Sequence, residues 1–224
     1  MSFDFPAIYH SNRERFTALV MGLNDLTLAS MVPATPLWTV KDALAHVTGV
    51  ASDLTTGRLE GATSEPWTQR QVEERADRTV ADITSEWSEL GPTVESMLEG
   101  SGRAMSAMVM DVVMHHCDVR GALGMRRPHD DEGLRLCLRA SNAIAPRLDA
   151  ADLPALRIQT EGFDRVLGTR QKGIAVRGDS FEITRALFGR RSLSQIAAFD
   201  WSTDPAPYLH HFSYFTPRET ALVE

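Results

Sequence analysis

The chain has 224 residues, 43% of them hydrophobic and 24% charged, with a formal net charge of −7. That length buries enough core for one large domain or two small ones, and an acidic chain without a basic cluster argues against nucleic acid, because phosphate needs a positive face. Two cysteines, Cys117 and Cys137, are too few for a secreted disulfide framework; no signal peptide and no apolar run of about 18 residues stands out, so a cytoplasmic protein without membrane contact is expected, as a monomer or weak dimer.

Taken in chain order, SNRE at Ser11–Glu14 reads as a capping box, followed by an apolar stripe at Phe16, Leu19, Val20, Leu23 and Leu26, which predicts a first helix. Pro33 and Pro36 break the chain. TVKD at Thr39–Asp42 repeats the capping pattern, and Val40, Ala43, Leu44, Val47, Val50 and Leu54 form a second stripe. A third runs from Val72 through Ala76, Val80, Ile83, Trp87, Leu90 and Val94 to Met97, with a kink or split expected at Gly91-Pro92. After Gly100 and Gly102 a fourth stripe takes Met108, Asp111, Val112, His115, Val119 and Ala122, stopped by Gly124 and Pro128. Four amphipathic helices in this span predict an antiparallel four-helix bundle.

A fifth helical pattern, Leu134, Leu138, Ser141, Ile144 and Leu148, leads outward, with Pro146 expected to distort its end. After Pro154 the pattern changes. LRIQT and GIAVRG read as short strands, DSFEITRALFG as a capped helix ending at Gly189, and SLSQIAAF as a further helical turn. The expected organisation is therefore a mostly α protein: a bundle over residues 1–150 and a small α+β domain over 151–224.

The fourth stripe carries an acid and a histidine on its inward face. Asp111 and His115 are four apart, roughly 40° from one another on a helix and one turn removed. A carboxylate turned toward a core needs a partner or a metal. Such a pair can be a plain hydrogen-bonded pair; it can also be half of a metal site, as bundles build them from facing helices. His46, at the edge of the second stripe, is the candidate third ligand, and its alternative is a satisfied core histidine. Two nitrogens and one oxygen with an open fourth position match catalytic zinc. Asp118, three after His115, can orient that ligand. His116 points about 100° away and is expected at the surface or boundary; Cys117 is explained equally well as inert packing.

PATPLWTVKDALAHVTG (Pro33–Gly49), DVVMHHCDVRGALG (Asp111–Gly124) and VRGDSFEITRALFGRRSLSQI (Val176–Ile196) together resemble the motifs of the mycothiol-dependent maleylpyruvate isomerase family. The resemblance implies a DinB-like four-helix bundle followed by a small α+β domain, sterol-carrier-like in part. It implies a divalent metal, usually zinc, on His46, Asp111 and His115, with mycothiol as cosubstrate. The chain departs from the family's motif at Asp111, where glutamate is usual.

The implied activity is a metal-dependent, thiol-using cis–trans isomerase or thiol S-transferase acting on a small electrophile. Its metal would turn a thiol of pKa near 8.5 into thiolate. A small dianionic substrate needs a cationic group; Arg120, Arg190 and Arg191 are candidates, the last two next to a helix end inside the third motif. Asp118, Arg190 and Arg191 are thus the expected catalytic residues. Two alternatives remain: a metal-dependent hydrolase with Asp118 as general base, and a non-catalytic small-molecule binding protein whose bundle has lost its metal.

Overall fold

A computed structural model of the chain describes residues 3–101, 105–125, 132–171 and 173–224. It divides into two compact units, Met1–Arg127 and Pro128–Glu224. The division falls earlier than residue 150, because the fifth helical stretch packs against elements of the second unit. Gly102 and Pro128, expected to break the chain, lie outside the described residues.

In the first unit, α1 (Phe5–Met21) begins before the expected SNRE box. Asp4 accepts a hydrogen bond from the backbone N–H of Ala7 at 3.0 Å, and Pro6 stands in the first turn. A capping carboxylate and a preset proline φ start the helix upstream, so Ser11 lies within it. A single turn, α2 (Asp25–Leu28), leads to α3 (Val40–Thr56). Here the expected box forms: Asp42 N–H donates to Thr39 Oγ1 at 3.1 Å, and Thr39 N–H donates to Asp42 Oδ2 at 2.9 Å. Gly57 closes α3 in the left-handed region, at φ +75°, where a side chain would be strained.

The third stripe does divide, but not at Gly91-Pro92. It gives α4 (Glu65–Glu73) and α5 (Val80–Ser101). Thr79 and Asp82 cap each other at the start of α5, with N–H to oxygen distances of 3.0 and 3.1 Å, so the break falls before residue 80. Pro92 stays inside α5. The proline lacks an N–H and costs about 3 kcal/mol in a helix interior; burial of Ile83, Trp87, Val94 and Leu98 from the same helix opposes that. The last helix of the unit is α6 (Ser106–Ala122), followed by Gly124 at φ +60°.

The four long helices make the bundle. α5 packs on both α1 and α3, and so does α6, while α4 lies against α3. Tyr9, Phe16 and Val20 of α1, Leu44 and Val47 of α3, and Val109, Val112 and Val119 of α6 are buried with the α5 residues. Trp87 donates its indole N–H to Tyr9 Oη at 2.9 Å, which satisfies two buried polar groups at once. Among the described residues no helix is long and apolar enough to cross a membrane.

The second unit opens with α7 (Glu132–Cys137), a 3₁₀ segment (Leu138–Ala143) and α8 (Ala145–Ala150). The fifth stripe is therefore broken, and Pro146 sits in the first turn of α8 rather than distorting an end. β1 (Leu156–Thr160) and β3 (Ile174–Arg177) fall at the expected strands. Two more, β2 (Phe163–Leu167) and β4 (Asp200–Trp201), complete a sheet ordered β2-β1-β3-β4. β1 pairs antiparallel with β2 and parallel with β3, and β3 antiparallel with β4. Gly173, which leads into β3, is forced to be glycine: an added Cβ would meet the Ala155 carbonyl oxygen at 1.6 Å. α9 (Ser180–Leu187) is capped by Asp179, and α10 (Leu193–Ala197) by Ser192 with Gln195. A helical bundle with a small α+β unit is thus the observed fold class.

Candidate metal centre

The α3–α6 packing brings His46 to Asp111 and His115. His46 Nε2 lies 3.2 Å from Asp111 Oδ2, and His115 Nε2 lies 3.4 Å from Asp111 Oδ1. One ligand-capable atom from each of the three residues lies within 4.8 Å of the others. Tetrahedral zinc with bonds of about 2 Å spaces its ligands roughly 3.3 Å apart. The aspartate is one methylene shorter than the family's glutamate, yet it reaches both imidazoles. Its side chain is 32% exposed, whereas both histidines are buried. Trp38, just ahead of α3, packs against both rings, with centroids 4.7 Å from His46 and 5.4 Å from His115.

The far side of each imidazole is also engaged. His46 Nδ1 is 2.8 Å from Gln71 Oε1. The Gln71 amide nitrogen donates to Asp53 Oδ2 at 2.7 Å, so the atom facing His46 is the amide oxygen, and His46 Nδ1 carries the proton. His115 Nδ1 lies 3.2 Å from Asp118 Oδ2, off the ideal hydrogen-bond line. A carboxylate only accepts, so this nitrogen carries its proton too.

Both Nε2 atoms therefore turn toward one carboxylate. Two neutral imidazoles would aim lone pairs at it, which is repulsive. Either each Nε2 takes a proton or one divalent cation sits between the three groups. Asp111 Oδ2 is buried without an aligned hydrogen-bond partner, although His46 Nε2 is only 3.2 Å away. The atoms aim at a shared point rather than at each other, as a ligand set does, so the residues present fit a divalent metal.

Electrostatics point the same way. Burial pushes the Asp111 pKa up, but the charges of His46 and His115 outweigh it and hold the carboxyl well below its usual range. Burial pushes His115 down, while the Asp111 charge and hydrogen bond, then Asp118, bring it up to about 9. A cluster that stabilises the Asp111 carboxylate and the His115 imidazolium this strongly can exchange that proton for a metal ion.

Residues 9–120, half of the chain, match the family described as the mycothiol maleylpyruvate isomerase N-terminal domain. The chain belongs to this family. Two solved structures share the fold. One is a mycothiol-dependent maleylpyruvate isomerase, 12% identical with a TM-score of 0.55, covering 89% of this chain and 92% of that one. The other is a histidine-to-alanine mutant of a mycothiol-dependent maleylpyruvate isomerase, also 12% identical over the same shares, with a TM-score of 0.54. Likeness at this identity speaks for the fold alone. No curated protein sequence matches the chain.

The family span holds His46, Asp111, His115 and Asp118; Arg190 and Arg191 lie beyond it, in the second unit. Asp118 is fully buried on the Nδ1 side of His115. That position suits an orienting group and does not suit a general base for water at the metal, as the hydrolase alternative requires. Arg191 is 1% exposed and spent on ion pairs: Nε and Nη2 donate to Glu182 at 2.6 and 3.2 Å, and Nη1 donates to Glu224 at 3.0 Å. Arg191 thus sits in a buried ion-pair cluster in which Arg185 also holds Glu224, and drawing its guanidinium out to an anion would cost Glu182 two hydrogen bonds and Glu224 one. Arg190 is half-buried and donates to the Phe188 carbonyl at 2.9 Å. His116 is buried rather than peripheral, stacked on Phe16 at 5.6 Å. Cys117 and Cys137 are buried and not joined in a disulfide.

Sequence reasoning gave no role to Trp38 or Gln71. Trp38 stood inside a quoted motif, so the signal was present. Gln71 had none, because only the docking of α4 on α3 brings it to His46.

Proposed function

We propose that the chain is a metal-dependent enzyme that uses mycothiol, or a similar low-molecular-weight thiol, to isomerise or to modify a small electron-poor alkene. Family membership supports the thiol and the isomerase class. The observation that carries the metal reading is the convergence of two Nδ1-protonated imidazoles on one carboxylate. In this reading His46, Asp111 and His115 are the ligands, and a fourth position is left open. When bound, a zinc ion would lower the pKa of a thiol placed at that position.

This chain's own residues supply the rest. Asp111 neutralises part of the positive charge and, being partly exposed, faces incoming molecules. Trp38 covers the two imidazoles and limits water there. Asp118 holds the orientation of the His115 ring. In the isomerase form, a thiolate adds to the cis double bond and makes it single. Rotation and elimination then give the trans product and return the thiol. If the carbanion left by addition takes up the proton the thiol lost, instead of expelling the thiolate, the thioether is the product and the enzyme is a thiol S-transferase. Arg190 is proposed as the anion-binding group for a dianionic substrate, while Arg191 is not carried into this reading.

The test is direct. Untagged protein is assayed for zinc, then given zinc, a mycothiol-like thiol and maleylpyruvate near neutral pH. Turnover that needs both metal and thiol supports the proposal; turnover that survives the loss of both rejects it. No metal uptake and no turnover would favour the binding-protein alternative.

A further inference from the structure

A buried polar chain runs from the back of His46 to the surface, and the chemistry above leaves it without a task. Gln71 and Asp53 are both 0% exposed. Gln71 Oε1 faces His46 Nδ1 at 2.8 Å, and Gln71 Nε2 donates to Asp53 Oδ2 at 2.7 Å. Asp53 is then gripped by two cations: Arg58 Nη2 lies 2.8 Å from Oδ1, and Arg70 Nη2 lies 2.9 Å from Oδ2. Arg58 also makes a two-pronged pair with Glu74, at 2.9 and 3.0 Å.

Two further features hold Gln71 in place. Gly49 of α3 lies directly under it: a Cβ added at Gly49 would meet Gln71 Cβ at 2.4 Å and Cγ at 2.6 Å. The absence of a side chain there is what lets α4 approach closely enough for Gln71 to reach the imidazole. Arg75, 3% exposed, donates to the Gln71 carbonyl at 3.1 Å and is itself tied to Glu86 of α5. Burying a carboxylate with an amide is costly unless it is paired; here Asp53 Oδ2 accepts from both Gln71 and Arg70, while Oδ1 faces the Arg58 charge without an aligned hydrogen bond.

We infer that Gln71, locked by Asp53 with Arg58 and Arg70 and seated on Gly49, is a positioning residue that commits His46 Nδ1 to a proton and so presents Nε2 to the metal centre. The inference rests on the metal reading above. An amide has one accepting end and one donating end, and Asp53 accepts only. The donating end is therefore spent on Asp53, and the accepting end must face His46. A carboxylate in place of Gln71 would set two anions side by side; a hydrocarbon would let the ring turn or change its protonated nitrogen.

The test uses the full chain and two readouts. One is zinc affinity, by competition with a chromophoric chelator. The other is the His46 Nδ1–H resonance in proton–nitrogen NMR, in metal-free and zinc-loaded protein; its slow exchange with water reports the Gln71 hydrogen bond. Wild type is expected to show the protected Nδ1–H in both states. Gln71→Leu is expected to lose that protection and to weaken zinc binding by about 10–100-fold, the range for a partner behind a ligand. Gly49→Ala is expected to do the same with every polar group intact.

A polarity exchange guards against simple misfolding. Gln71→Glu alone is expected to weaken zinc binding, and Gln71→Glu combined with Asp53→Asn to restore most of it, because accepting and donating ends are matched again. A protected Nδ1–H that Gln71→Leu abolishes in a protein that takes up no zinc supports the positioning role and overturns only the metal reading. Unchanged zinc affinity and an unchanged Nδ1–H in Gln71→Leu, or a double variant no better than Gln71→Glu alone, overturns the inference.

Discussion

Asp118 Oδ2 lies 3.2 Å from His115 Nδ1, on the opposite edge of the ring from Asp111. The two carboxylates therefore grip one imidazole from both ends, and only the outer one can share a ligand with it. Asp118→Ala is expected to weaken zinc binding by about 10–100-fold while leaving a measurable site. The check is chelator competition with thermal unfolding as a control. Loss of all zinc from a folded variant would make Asp118 more than an orienting group.

His115→Ala removes one of the three proposed ligands and the imidazole that lies between Asp111 and Asp118. It is expected to abolish both stoichiometric zinc and thiol-dependent turnover. Zinc analysis of the purified variant checks it, and a retained full equivalent of metal would contradict the ligand assignment.

Asp111→Glu restores the longer carboxylate usual in the family. The Asp111 side chain is 32% exposed, so the extra methylene has room to turn outward. Zinc affinity is expected to hold or rise, measured by the same competition. A fall of about tenfold or more, or roughly 1.4 kcal/mol, would mean that the aspartate geometry is the one this site is built around.

The metal-free protein should show a defined pH dependence. His115 is raised from 6.5 to about 9, so its contribution is complete below about pH 6.5 and is lost as the pH climbs through 9. Asp111 is lowered from 3.8, so its contribution is present above about pH 4 and is lost as the pH falls further. Thermal unfolding of chelator-treated protein is expected to peak between about pH 4 and 6.5. Zinc must displace the His115 proton, so zinc affinity is expected to rise with pH up to about 9. A metal-free Tm that climbs from pH 7 to 9 would contradict this ion-pair account.

The helices of the bundle were legible because they are amphipathic, and periodicity reports burial directly. The candidate ligands were legible for the same reason: Asp111 and His115 are polar groups at apolar phases of one stripe, and His46 borders another. Boundaries were less so. SNRE has the letters of a capping box, but Asp4 and Pro6 start α1 first, and Gly91-Pro92 has the letters of a break, but Thr79 and Asp82 make the real one. β2 was invisible because Asp164, Arg165 and Val166 at its centre are exposed, so no alternation marks it.

The sequence by itself determined the fold class, the family and three candidate ligands, because each depends on spacing within a single helix or on contiguous motifs. Tertiary structure decided the rest, because it depends on which helices meet. Packing of α3 on α6 brought His46 to Asp111, and the α4 approach over Gly49 brought Gln71 behind it. Burial against Glu182 and Glu224 made Arg191 an ion-pair residue. The same chemical group can be a surface charge, a structural pair or an anion grip, and its neighbours across the chain, which local sequence does not contain, select among them.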